Sequence, residues 1–414
     1  MMFVERTFQS QIIQEELKRT PRRRFRSLNT TKKTTNRVVK HKAVAYLRLF
    51  LETSSIHGLN HLLGPSKYLE TTLWLIIIAL SAFGSIYLSQ VTWIRYQSSP
   101  TVVSMDRDMY AWNTSFPAIT ICPEKRIDEN KLEMYLRNSK ESNKTNLEAF
   151  IRQLSSATYK NFENITDYDG LPSDKYVELL VNLSAAFKPT LTIGVVNVVF
   201  NIVPTVTEMG LCYSVNSNTA VYNSPEYREA NRWDTIGDEY KSLFIHPLEG
   251  EVFAQVMNMS TAYDAYVHGP QEVPDISTKN QQSKEAYYMK LYVTAIAVYT
   301  SVEAAKLSVS QRRCRFPHEN NLKHNSIYTY TMCRMECRIR LCLEHCGCIP
   351  HFYRKIGAEK VCDVKGLHCL SKYKDELYKL QYEDGKRINC ACYPLCDDVN
   401  YVIQSNVCQA GVVP

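Results

Sequence analysis

The sequence predicts an α+β membrane protein, with one membrane-spanning helix near the amino terminus followed by a large, disulfide-rich domain outside the cell. Three observations predict it. Thr71 to Ile94 is an uncharged run of 24 residues, all 14 cysteines follow it, and five of the six Asn-x-Ser/Thr sequons follow it too.

The run reads TTLWLIIIALSAFGSIYLSQVTWI. As a helix it is about 36 Å long, enough to cross a hydrocarbon core roughly 30 Å thick with some tilt. Trp74 and Trp93 sit near its two ends, where amphipathic rings favour the interfaces. Buried core helices seldom run so far without a charge, so the run is read as a span at 71–94. It has no ionisable group, and Ser81, Ala82, Gly84 and Ser85 permit close helix contact. That suits a lipid-facing anchor better than a pore wall.

Charge sets the orientation. Residues 1–72 hold 14 Lys and Arg against 5 Asp and Glu, a net of +9, while the whole chain is +7, which leaves −2 for residues 73–414. Basic flanks stay in the cytoplasm, so the amino terminus is expected inside and residues 95–414 outside, at the plasma membrane. A cleaved signal needs a short apolar core close to Met1, and a long polar stretch comes first here, so the span is read as a retained signal anchor. An oxidising exterior is where an even, dense cysteine set pairs. Asn113, Asn143, Asn164, Asn182 and Asn258 are the glycosylation candidates on that side.

The cytoplasmic region, residues 1–70, includes PRRRFR from Pro21 to Arg26 and further basic residues at Lys32, Lys33, Arg37, Lys40 and Lys42. Beside a membrane such a run serves as a lipid-facing flank rather than a nucleic-acid site, so no nucleic-acid partner is expected. From Ala45 to Leu63 apolar residues recur at helical spacing and break at Gly58. Beyond the span, FPAITIC (Phe116 to Cys122) reads as a buried strand. Residues 124–188 hold three sequons and helical patterns at Leu132–Leu136 and Leu147–Leu154, and read as a solvent-facing helical outgrowth. Leu191 to Thr207 is a second uncharged run, but it has only 17 residues and contains Gly194, Asn197, Asn201 and Pro204. A crossing there would put Asn258 and the later cysteines on the reducing side, so it is read as one or two core strands. Residues 208–310 alternate strand-like pieces, such as Ala286 to Val302, with turn clusters such as His268-Gly269-Pro270.

Eleven cysteines fall between Cys314 and Cys396, an 83-residue block. The spacings, with His345 and His351 nearby, could suggest zinc, but an extracellular site favours disulfides, and no metal is expected. Residues 326–346 have helical character, which puts Cys333 and Cys337 on one face about 6 Å apart along the axis. Cys390 and Cys392, in an extended segment, would sit about 6.6 Å apart on one face. Antiparallel packing then joins Cys333 with Cys392 and Cys337 with Cys390. Cys314 to Cys396 closes the outside, and Cys346 and Cys348 take Cys369 and Cys362 as inner rungs. Such a ladder makes a stiff rod, each bridge contributing roughly 2–4 kcal/mol.

His57-Gly58 ahead of the span, FPAITIC ending in Cys122, GLCYSVN (Gly210 to Asn216) and the cysteine series through CACYPLC (Cys390 to Cys396) together resemble the degenerin and epithelial sodium channel family, and within it the pickpocket-type subunits. The resemblance covers about residues 54–401. It implies a trimeric cation channel, usually sodium-selective and amiloride-sensitive, assembled from homologous subunits as a homo- or heterotrimer in the lipid bilayer. It needs no cofactor beyond the permeant Na+. The extracellular domain would be a palm β-sheet with a helical finger at about 123–190 and a Cys-rich thumb at about 314–396. By motif, His57 and Gly58 are the gating pair, Cys122 pairs with Cys212, and Tyr96 is the aromatic at the joint through which thumb movement reaches the pore.

Departures from the family bear on function. Cys342 and Cys408 lie outside the ladder and either pair together or bond elsewhere. No tryptophan stands beside Cys314, where the acid-sensing branch has one, so proton sensing is not implied. After Cys396 only 18 residues remain, and the family's second transmembrane helix is not among them. Two functions therefore stand open: a channel subunit gated through its extracellular domain by an unidentified ligand or stimulus, or a non-conducting single-pass protein that binds a ligand or regulates full-length subunits. An enzyme is not expected, because no nucleophile motif or paired carboxylates stand out.

Overall fold

The computed structural model describes residues 42, 44–50, 53–54, 68–106, 114–141, 143–187, 190–193, 202–230, 244–246, 254–257, 261–285, 287–382 and 384–410. The chain divides into two units, Met1–Arg95 and Tyr96–Pro414.

Helix α1, Tyr68–Ser98, contains the expected span with roughly one turn added at each end. None of its residues is buried, and Leu80, Phe83 and Ile86 are among many large apolar side chains left exposed. A helix apolar on all sides calls for a non-aqueous surround. Three of its hydroxyls need no water: Thr72, Ser81 and Thr92 donate to the carbonyls of Tyr68, Ile77 and Leu88 one turn earlier. Residues 44–50 are also helical and exposed.

The second unit is built on an antiparallel five-stranded sheet in the order β4-β5-β2-β8-β9. The members are β2 (Ala118–Pro123), β4 (Val203–Thr207), β5 (Gly210–Val215), β8 (Tyr263–His268) and β9 (Gln281–Ser283). Strand β2 is central and buried on both faces; there Thr120 donates to Ser214 Oγ at 2.9 Å and lies 2.7 Å from His268 Nε2. This chain of side chains satisfies polar groups that water cannot reach. Two short pairs lie apart from the sheet, β1 (Thr114–Ser115) with β6 (Phe244–Ile245), and β3 (Thr190–Ile193) with β7 (Ala254–Met257). The uncharged run at 191–207 is thus strand at both ends. A long ribbon pairs β10 (Tyr287–Val298) with β11 (Asp398–Ala410), with a bulge at Tyr292/Val293.

Helices α2 (Glu129–Asn138), α3 (Lys144–Ser155) and α4 (Tyr176–Asn182) follow β2. Asp128 and Asn143 cap the first two by accepting backbone N–H groups. These helices are not the solvent-facing outgrowth expected for 124–188. Leu132, Leu147, Phe150, Ile151 and Leu154 are all at most 2% exposed and share one core with Leu367, Leu370 and Leu377 of the Cys-rich region. Only the opposite faces, with Glu133, Arg137 and Arg152, meet solvent. An amphipathic pattern reports one wet face and one dry face, and the dry face found its partner about two hundred residues downstream.

The Cys-rich region contains α5 (Tyr330–Cys346), α6 (Val364–Ser371) and α7 (Lys374–Lys379). Helix α5 is capped by Thr329 at its start, and Gly347 ends it in the left-handed region at φ 67°.

Candidate functional site

Helix α5 carries one half of a disulfide column. Cys333 and Cys337, one turn apart, join Cys392 and Cys390, with Cα atoms 5.6 Å apart in both pairs. Cys314–Cys396, Cys346–Cys369 and Cys348–Cys362 extend the column, and Cys122–Cys212 ties β2 to β5. The segment holding Cys390 and Cys392 is not the extended stretch expected from their spacing. Ala391 between them is left-handed at φ 51°, so a turn, rather than the alternation of an extended chain, aims both sulfurs at the helix. Gly366 is needed for packing, since a Cβ there would lie 2.6 Å from Cys348 Sγ. Cys342 is a free, buried thiol, so it does not bond Cys408. Burial pushes its pKa up to about 12.

A buried ionic knot, absent from the sequence reading, locks the same helix to the sheet. Arg338 is fully buried, and its Nη1 donates to Glu208 (3.1 Å) and to Asp275 (3.0 Å), while its Nε donates to the Leu377 carbonyl (2.9 Å). Tyr353 donates to Glu208, and the Ile276 amide donates to Glu208 as well, at 2.7 Å. Glu208 sits in the two-residue turn between β4 and β5, closed by Gly210 at φ 101°. That φ strains any L side chain and favours glycine, and a Cβ there would also force the Arg126 guanidinium to move. Burial raises the Glu208 carboxyl despite Arg338. Burial also works against Asp275 ionising, but Arg338 and Arg334 hold it below the usual range. Arg338 was detectable in principle. At helical spacing it shares the buried stripe with Met335, Leu341 and Cys342, where a charge must find a partner.

Tyr96 lies in the last turn of α1 and is 49% exposed. Arg313, beside Cys314 and left-handed at φ 55°, donates from Nε to the Ser98 carbonyl at 3.2 Å. A guanidinium is well matched to a helix C-terminus, whose last carbonyls lack partners. Asn143, Asn164 and Asn182 are exposed. Asn143 caps α3 through Oδ1, accepting from the Asn146 amide at 3.1 Å. His57, Gly58, Asn113 and Asn258 lie outside the described residues. Among the described residues no group of three His, Cys, Asp or Glu is arranged to hold a metal.

Comparison with known proteins places this architecture. A family model described as amiloride-sensitive sodium channel matches residues 50–411. Pickpocket protein 11 of Drosophila melanogaster is 24% identical over 375 residues, covering 87% of this chain and 60% of that protein. Sodium channel protein Nach of Drosophila ananassae is 22% identical over 384 residues, covering 86% of this chain and 70% of that protein. Acid-sensing ion channel 4 of Rattus norvegicus is 32% identical over 87 residues, 21% of this chain and 16% of that protein. The chain therefore spans about three fifths of the length of pickpocket protein 11. With a family match across most of its length, the chain belongs to the amiloride-sensitive sodium channel family, the degenerin group.

Proposed function

We propose that this chain is part of a subunit of a trimeric, sodium-selective, amiloride-sensitive cation channel that is gated through its extracellular domain and assembles with homologous subunits. The observation that carries the proposal is the family match over residues 50–411. In this reading residues 1–70 are cytoplasmic, with His57 and Gly58 as the gating pair; 71–94 span the plasma membrane; and 95–414 face outward. The five-stranded sheet is the palm, residues 123–190 the finger and 314–396 the thumb. The exposed sequons Asn143, Asn164 and Asn182, with Asn113 and Asn258, carry glycans.

The disulfide column supports a lever role for the thumb. Each bridge limits the conformations of an element that must transmit movement without bending, and Arg313, beside the Cys314–Cys396 bridge, donates to the Ser98 carbonyl. Tyr96 lies one turn or less from that contact. No enzymatic chemistry is assigned.

The test is co-expression of this chain with a full-length relative in oocytes, recording sodium currents with and without amiloride. Incorporation predicts changed current size or kinetics and recovery of both chains in one trimer by cross-linking. Unchanged currents with no cross-linked product would overturn the reading.

A further inference from the structure

His324 lies in the loop before α5 and is 6% exposed. Both ring nitrogens face carboxylates: Nδ1 is 2.9 Å from Glu336 on α5, and Nε2 is 3.0 Å from Glu359 in the 354–361 turn. The backbone N–H of His324 also donates to Glu336 at 3.1 Å, and Glu359 accepts the Ile356 amide at 2.9 Å. The carboxylates sit at opposite edges of the ring, so they do not converge on a common cation. Of the other charged groups, Lys323 is the chain neighbour, and Glu208, Tyr353 and Arg354 line the same small cleft as His324.

We propose that His324 is a protonation-dependent latch that binds its loop to α5 and to the 354–361 turn at once, and that loss of its proton releases one of the two. The reason is the chemistry of imidazole. The charged ring donates from both nitrogens, whereas the neutral ring donates from one and turns a lone pair toward the other carboxylate. Burial works against the charged ring, but its hydrogen bonds to Glu336 and Glu359 more than offset it, so His324 keeps its proton above the usual range. The latch is therefore fully closed below the ordinary histidine pKa of about 6.5 and opens as pH rises through the elevated folded value. It is a property of the Cys-rich region and stands independently of channel activity.

The test is amide hydrogen exchange on the whole chain in lipid nanodiscs, from about pH 6 to about pH 9, corrected for the intrinsic pH dependence. Opening of peptides covering 320–325 and 354–361 should rise, by at most about tenfold per pH unit, between the ordinary histidine value of about 6.5 and the raised folded pKa, and level off above it. In Glu359→Gln the amide can donate to the neutral ring, so both contacts survive and the dependence flattens. A flat wild-type profile, or an unchanged slope in Glu359→Gln, overturns the latch. Imidazole C2 hydrogen exchange on the wild type tests it without any variant. The His324 midpoint should fall above about 6.5, and a midpoint at or below that value overturns it.

Discussion

Replacing Arg338 with methionine tests whether the buried knot holds the disulfide column to the sheet. The side chain is 0% exposed and satisfies two carboxylates, Glu208 and Asp275, that are themselves 1% and 3% exposed. Methionine fills much of the volume but leaves Glu208 without a cation and Asp275 with only Arg334, 3.7 Å away. Removing one partner of a buried ion pair costs roughly 3–5 kcal/mol. About 2 °C of Tm per kcal/mol, the lower end for large domains, gives a loss of about 6–10 °C. The loss should depend on pH. Asp275, held down by Arg338 and Arg334, contributes stability above the ordinary carboxylate range and loses it as pH falls through its depressed value. In the variant Glu208 has lost its cation and Asp275 keeps only Arg334, so the two acids favour a shared proton and the deficit should be larger near pH 8 than near pH 5. Adding Glu208→Gln to Arg338→Met should recover part of it. Scanning fluorimetry of the purified chain at both pH values measures this, with the exposed Arg340→Ala as control. A deficit no larger than that of Arg340→Ala, or one equal at both pH values, would refute the reasoning.

Glu272 accepts from Thr331 Oγ1 at 3.0 Å near the start of α5, and burial pushes its carboxyl up to about 7. Its cost is absent below the unfolded value of about 4.3 and is fully present once pH passes the folded value. Glu272→Gln should therefore stabilise by about 1 kcal/mol near pH 8 and leave Tm unchanged near pH 4; a gain at both counts against it. Loss of Cys314–Cys396 opens a sequence separation of 82, but with Cys333–Cys392 intact the effective loop is far shorter. The double serine variant should then cost about 3 kcal/mol, near the value for a short loop, rather than about 4.5, as judged by urea unfolding. Cys342 should resist alkylation in the native protein and be labelled once denatured without reductant; a mass consistent with a Cys342–Cys408 bond would contradict the free thiol.

The parts of this protein that were readable in order along the chain are those whose physics is local. A helix face repeats every 3.6 residues, so the spacing of Cys333 and Cys337 carried geometric meaning. The uncharged run became one long apolar helix, α1, and the FPAITIC segment, rich in β-branched residues, became strand β2. The amphipathic stripes of α2 and α3 were equally visible, but a stripe names no partner, and the partner proved to be the Cys-rich core.

What the sequence by itself determined is the class of the protein: one apolar helix, a cysteine-dense α+β region and a family signature in ordered motifs. Only the tertiary structure decided which charges are buried together. Glu208 and Asp275, like His324, Glu336 and Glu359, look like ordinary surface residues in a linear text, and the separations, 63 and 130 residues from Arg338 and 12 and 35 from His324, name no partner. Their meaning comes from desolvation, which acts only once folding has removed water and left each charge dependent on the few groups within reach.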